Sequence, residues 1–226
     1  MILEKKEDIG IDVDSLPPEL REVADEAQQF MLMRNLYHSA IREVSTKLEI
    51  LDDEFHAKRG YSPIHHMESR VKSIQSTFTK LTKKGYDFRM ENIRKITDIA
   101  GVRVICNYLE DVYMIERLLL QQSDVELVRE KDYIMNPKPS GYRSLHLIVL
   151  IPVFQIERVE KVPVEIQIRT IAMDTWASLE HELKYKREGG VSDADAADLK
   201  MCASQLAAVD LTMNRIHSGK KALEKK

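Results

Sequence analysis

Residues 162–170 read VPVEIQIRT. Val162, Val164, Ile166 and Ile168 occupy alternate positions and Glu165, Gln167 and Arg169 lie between them, the period-two pattern of a strand with one apolar and one polar face. The stretches GVRVICNY at 101–108 and LHLIVLIPV at 145–153 are apolar on both sides, as strands inside a sheet are. A strand set among them is central, and burying Glu165 there is costly unless a cation or a metal meets it.

Working outward, DVELVREKDY at 124–133 carries a further strand pattern, and helical spacings occupy 109–121 and 170–185. The middle of the chain is therefore α/β (α+β), a mixed β-sheet flanked by helices. Upstream, Leu20, Val23, Ala27, Phe30, Tyr37, Ile41, Val44, Leu48, Leu51 and Phe55 recur at helical spacing. They predict one long helix or two consecutive ones, broken only at Arg34 and reaching about Lys58, before Gly60 to Pro63 interrupt the pattern. Residues 1–17 read as a loose leader ending at Pro17-Pro18. An Ala/Leu/Met-rich helix is expected over about 194–218, followed by a basic tail with lysine pairs at 220–221 and 225–226.

The 226 residues are 43% hydrophobic and 31% charged, with 8 Gly and 7 Pro. This suits one large domain with a helical appendage and excludes collagen-like, low-complexity and wholly disordered chains. A formal net charge of −3 leaves no global positive field for a polyanion, so any phosphate site has to be local. Cys106 and Cys202 lack the spacings of a zinc or redox site and are expected as reduced core thiols, which points to the cytoplasm. The start MILEKKEDIG has no apolar signal core, and the longest apolar run, Leu147 to Phe154, contains Pro152. Nothing is expected to target or span a membrane.

Four segments could carry chemistry. ESRVKSIQSTFTKLTKK at 68–84 holds no acid after Glu68. Read as a helix, it places Ser69, Lys72, Ser76, Lys80 and Lys83 on one face and Met67, Val71, Ile74, Phe78 and Leu81 on the other. Such a face is either solvated or a seat for a short polyphosphate. In KITDIAGVRVIC at 95–106, Asp98 at the strand entry is either a turn residue or an Mg²⁺ ligand, and Arg103 points away from Val102 and Val104. On the 162–170 strand, Glu165, Gln167 and Arg169 face either water or a ligand. NPKPSGYRSLHLIV at 136–149 presents Lys138, Tyr142, Arg143 and His146 from a Pro/Gly loop: ordinary surface residues, or a ring for base stacking beside cations for phosphate. No GxxxxGK[ST], GxGxxG, HExxH or GxSxG motif occurs, so P-loop, Rossmann, zinc-protease and hydrolase readings drop out.

Together these segments resemble the synthetase domain of the RelA/SpoT family over about residues 40–190, at the length of its small stand-alone members. The matching stretches are SRVKSIQSTFTK (69–80), TDIAGVRVIC (97–106), SGYRSLHLIV (140–149) and VEIQIRTIAMDTWASLEHELKYK (164–186). The resemblance implies a nucleotidyltransferase-like fold and Mg²⁺-dependent transfer of pyrophosphate from ATP, the donor, to the 3′-hydroxyl of GDP or GTP, with GMP a further candidate acceptor. It implies that Arg70 and Arg103 sandwich adenine, with Lys72, Ser76 and Lys80 on the ATP phosphates. Asp98 and Glu165 would be the catalytic pair and would hold Mg²⁺, Glu165 also assisting deprotonation of the 3′-hydroxyl. Tyr142 would stack on guanine, with Lys138, Arg143, His146, Gln167 and Arg169 lining the acceptor site.

On this reading residues 18–190 form the synthetase domain, and 191–226 add a C-terminal helix and basic tail suited to a homo-oligomer, a tetramer by family likeness. No His-Asp dipeptide occurs, so alarmone hydrolysis is not expected, nor is ribosome sensing through a long C-terminal region. Two rivals differ in class. A polymerase-β-type nucleotidyltransferase needs an Asp-x-Asp pair on a strand, but here such pairs fall only at Asp12/Asp14 and Asp193/Asp195. A silent RNA-binding or scaffold protein would use the basic segment alone and show a steep salt slope without Mg²⁺ dependence.

Overall fold

A computed structural model of the chain describes residues 18–87, 89–186 and 192–223. Its elements run α1 (Pro18–Arg59), β1 (Ile64–Val71), α2 (Ile74–Lys83), α3 (Met90–Ile93), β2 (Ala100–Cys106), α4 (Leu109–Leu120), β3 (Glu126–Asp132), β4 (Leu145–Phe154), β5 (Val159–Thr170), α5 (Ile171–Lys186) and α6 (Asp193–Leu223). The upstream helical pattern is a single helix, uninterrupted at Arg34. Pro18 suits its first position, where the missing N–H is not needed. Gly60 ends it at φ 69°, donating its N–H to His56 O at 2.9 Å, a left-handed stop that glycine adopts without strain.

The sheet order is β1-β2-β5-β4-β3, with β5 central, parallel to β2 and antiparallel to β4. The outer pairs are antiparallel, so the sheet is mixed, as expected. α1 and α4 cover one face, where Val44, Leu48, Val112, Ile115 and Leu119 join Val102, Val104, Val164, Ile166 and Ile168 in one core. That core fixes the strand register, because a slip of one residue would turn every apolar side chain to the wrong face. The opposite, polar face is bordered by α5, on which α6 packs.

The segment 68–84 is not one helix. Its first residues complete β1, an edge strand, and only Ile74–Lys83 is helical. Met67 and Val71 pack on the core from the strand, and their four-residue interval imitates helical spacing because four is also a multiple of the strand period. Ser73, in extended conformation, starts α2 by accepting the Ser76 N–H at 3.2 Å, a serine N-cap. Of the expected apolar stripe on α2, Leu81 is buried while Ile74 and Phe78 are exposed. Cys106 is a core thiol as expected, but Cys202, on α6, is exposed. The leader 1–17 and the terminal lysine pair 225–226 lie outside the described residues. Among the described residues no helix is long and apolar enough to cross a membrane.

Candidate active site

Register decides which side chains meet. Across β1, β2, β5 and β4, one row of paired positions holds Glu68, Arg103, Gln167 and His146, and the next holds Arg70, Gly101, Glu165 and Ile148. Paired positions present side chains on the same face, so four strands distant in sequence build one floor, left open between Arg70 and Glu165 by Gly101. Above it lies a cavity of about 520 Å³, whose lining includes Arg70, Lys72, Asp98, Arg103, Tyr142, Glu165, Gln167 and Arg169.

On one side of the cavity, Lys72 and Lys80 both donate to Asp98 Oδ2, at 2.7 and 2.5 Å. Burial alone would raise the Asp98 pKa, but the hydrogen bonds and charges of the two lysines outweigh it and hold the carboxyl below its ordinary range. Asp98 Oδ1 is buried and accepts no hydrogen bond among the described residues. Arg103 donates from Nη1 to Glu68 Oε2 at 2.8 Å, while its Nε is buried and has no partner among the described residues. Ser76, in the first turn of α2, pairs its hydroxyl with Ser73 Oγ at 2.9 Å.

The other side is a chain of hydrogen bonds. Arg169, its side chain only 5% exposed, donates from Nη2 to the Tyr142 hydroxyl at 2.6 Å and to Gln167 Oε1 at 2.8 Å. The Tyr142 hydroxyl, which accepts from Arg169, also pairs with His146 Nε2 at 2.8 Å, and His146 Nδ1 faces Glu165 Oε1 at 3.4 Å. Burial pushes the Glu165 pKa up, but the His146 hydrogen bond and charge, with the Gln167 N–H at 3.1 Å, hold it below the usual range despite the nearby Asp98 charge. Glu165 is thus an ionised carboxylate at neutral pH. Lys138 lies 4.5 Å from the Tyr142 ring centre, a cation–π contact.

The structure therefore gathers eight of the candidates around one cavity. Lys80 stands behind Asp98, and Lys138 and His146 behind Tyr142 and Glu165, whereas Ser76 is exposed on α2 and pairs with Ser73. Arg143 is placed elsewhere, in a small recess against α6 with Met173, Trp176 and Asp210. The sequence reading assigned no role to Glu68, Ser178, Glu180 and His181, which also line the cavity, or to Asp174, which bonds Arg169. All but Glu68 belong to α5, whose residues enter the sequence analysis as a helical spacing and within the matching stretch 164–186 but are assigned no role; the polar pair Glu180-His181 is the available signal.

A buried carboxylate oxygen without a donor, near a second ionised carboxylate, is the chemistry of a hard-cation site. Asp98 and Glu165 fit Mg²⁺ on that ground. Cations around one carboxylate on one side, and a tyrosine ring with a glutamate on the other, suit a protein that binds phosphate esters of an aromatic base.

The relatives agree. Residues 69–190 match the family described as "Region found in RelA / SpoT proteins", and the chain belongs to that family. It is 46% identical over 169 residues to the GTP pyrophosphokinase YwaC of Bacillus subtilis, covering 74% of this chain and 80% of that one. To the GTP pyrophosphokinase YjbM of the same organism it is 34% identical over 180 residues, 80% and 84% of the two chains. The crystal structure of small alarmone synthetase 2 from Bacillus subtilis superposes with a TM-score of 0.77 at 43% identity, over 84% of this chain and 98% of that one. Small alarmone synthetase 1 from the same organism, bound to its product pppGpp, gives 0.78 at 32% identity over 85% and 98%.

Proposed function

We propose that this protein synthesises (p)ppGpp by moving the pyrophosphate of ATP to the 3′-hydroxyl of GDP or GTP, with GMP a further acceptor to test. The 3′-oxygen attacks the β-phosphorus, the bond from that phosphorus to the oxygen bridging it to the α-phosphate breaks, AMP leaves, and the hydroxyl proton passes to Glu165. Lys72, Lys80 and Ser76 bind the donor phosphates, and Arg70 and Arg103 hold the adenine. Tyr142 stacks on guanine, while Gln167, Arg169 and His146 fix Tyr142 and Glu165; Lys138, on the acceptor loop, is a cation for its phosphates, and Arg143, set against α6, is left out of the site. Asp98 and Glu165 would hold Mg²⁺, which when bound neutralises charge on the transferring phosphates. Most of the work is positioning and charge neutralisation rather than covalent catalysis.

The observation that carries this reading is the lone buried oxygen of Asp98 beside two lysines, in the same cavity as Glu165 and Tyr142. The test is to incubate the protein with ATP, Mg²⁺ and each guanine nucleotide and to resolve the products by anion exchange. Glu165→Gln and Asp98→Asn should each lower turnover by orders of magnitude with melting preserved, and near-normal rates in either would refute the assignment.

Exposed apolar side chains on α6 (Val209, Leu211, Met213, Ile216) and on α1 (Met31, Leu32, Ile50) support a homo-oligomer, a tetramer by family likeness, measurable by light scattering. A cytoplasmic enzyme of the stringent response is the cellular role consistent with this chemistry.

A further inference from the structure

Asp174 lies in the first turn of α5, and its Oδ1 stands between two guanidinium groups. It accepts from Arg169 Nη1 at 3.1 Å and is 3.6 Å from Arg103 Nη1. The two arginines come from neighbouring parallel strands, at positions two residues apart in the register, Arg103 facing Gln167 and Ile105 facing Arg169. Held together on one face, such cations repel unless an anion separates them. Glu68 shares Arg103, but among the described residues the only carboxylate paired with Arg169 is Asp174.

Arg169 in turn fixes the Tyr142 hydroxyl and Gln167, which belong to the acceptor half of the cavity. Arg103 belongs to the donor half. On the synthetase reading above, we infer that Asp174 is a positioning residue joining the two nucleotide sites: one carboxylate oxygen sets the guanidinium that holds the acceptor's stacking ring and restrains the guanidinium that meets the donor's base. The ordinary role for an acid in a first helical turn is to complement the helix dipole. That role affects stability and leaves substrate binding alone, so the two can be separated.

The experiment compares Asp174→Asn, which keeps the shape and removes the charge, with Asp174→Glu, which keeps the charge. Both Michaelis constants and kcat are measured by product chromatography, alongside thermal melting. Asp174→Asn should raise the Michaelis constants for ATP and for the guanine nucleotide together, each about five- to tenfold, with kcat within about threefold. Asp174→Glu should return both constants to within about threefold of the parent. A lower melting temperature with unchanged Michaelis constants overturns the inference in favour of a helix-terminal role. A rise in one constant alone overturns the joining of the sites, and equal loss in the Asn and Glu variants overturns the part played by charge. If the parent chain transfers no pyrophosphate, the synthetase reading fails and takes this inference with it; an active parent with indifferent variants sinks the inference alone.

Discussion

Gly141→Ala probes the join between the acceptor loop and α6. Gly141 has φ +94°, and a Cβ placed there would lie 2.6 Å from Ala203 Cβ and 3.5 Å from Lys200 Cα. The left-handed conformation costs an L side chain about 1–2 kcal/mol. Carbon atoms not bonded to one another settle about 3.5–4 Å apart, so the turn or α6 has to move by roughly an ångström, an overpacking that costs about 1–3 kcal/mol. The combined loss of about 2–5 kcal/mol corresponds to roughly 5–15 °C in melting for a chain of this size. The turn is closed by Gly141 N–H to Lys138 O at 2.8 Å and Lys138 N–H to Tyr142 O at 3.1 Å, so its displacement carries the Tyr142 ring with it. The Michaelis constant for the guanine nucleotide should rise about tenfold and that for ATP by less than about twofold, read by product chromatography with each substrate varied in turn. Adding Ala203→Gly should relieve the overlap and recover part of the loss. Unchanged melting, or an equal rise in both constants, would refute the reasoning.

Lys72→Gln and Lys80→Gln should each raise the Michaelis constant for ATP far more than that for the acceptor, since both lysines meet at the donor-side carboxylate; symmetric changes would remove them from the phosphate site. Tyr142→Ala should weaken acceptor use by about 1–3 kcal/mol, the worth of one base stack. Tyr142→Phe, which the sequence alone would call mild, should still lose about 1–2 kcal/mol because it takes away the oxygen that accepts from buried Arg169; an acceptor Michaelis constant equal to the parent's would argue against that. Burial, then the charges of Glu130 and Asp132, push Glu116 up to about 7 from an ordinary 4.5. The folded chain therefore keeps a proton that the unfolded chain releases, and this group's contribution makes stability fall as pH climbs from about 4.5 to about 7 and stay flat above. Glu116→Gln should abolish that slope, adding about 1 kcal/mol at pH 8 and nothing at pH 4 once solvent screening is allowed for; melting curves with parallel pH dependence in both proteins would refute it.

The central strand was legible because its alternation is strict and its neighbours are apolar on both faces, so burial alone dictates its place. β1 was not. In Ile64–Val71 only Ile64 is buried, since an edge strand takes its hydrogen bonds from β2 and needs no apolar face of its own. A helix was read over its last residues because strand and helix periods coincide at four residues. Glu165 was legible as an acid in a costly place and Asp98 as a turn residue or metal ligand, but their setting was not: that two lysines share one oxygen of Asp98 follows from the turn at Lys72-Ser73, which directs Lys72 and α2 toward the same point. Asp174 drew no role because a helix facing a site carries no strand alternation to mark it, and the polar pair Glu180-His181 is a weaker cue than alternation.

The described hydrogen bonds and cation–π contact explain how so many cations coexist in a chain of net charge −3. Lys72 and Lys80 rest on Asp98, Arg103 on Glu68, and Lys138 on the ring of Tyr142. In three of these four contacts the partner is a group the proposed reaction needs elsewhere: Asp98 for the metal, Tyr142 for the base. On the proposed site assignment, nucleotide binding exchanges existing contacts more than it adds new ones, which limits the gain in raw affinity because breaking an existing pair offsets much of each new one. The same exchange gives selectivity. On that assignment a ligand without phosphates would not draw the lysines from Asp98, and one without an aromatic base would not displace Lys138 from Tyr142, so a phosphorylated nucleotide would be favoured over either part alone.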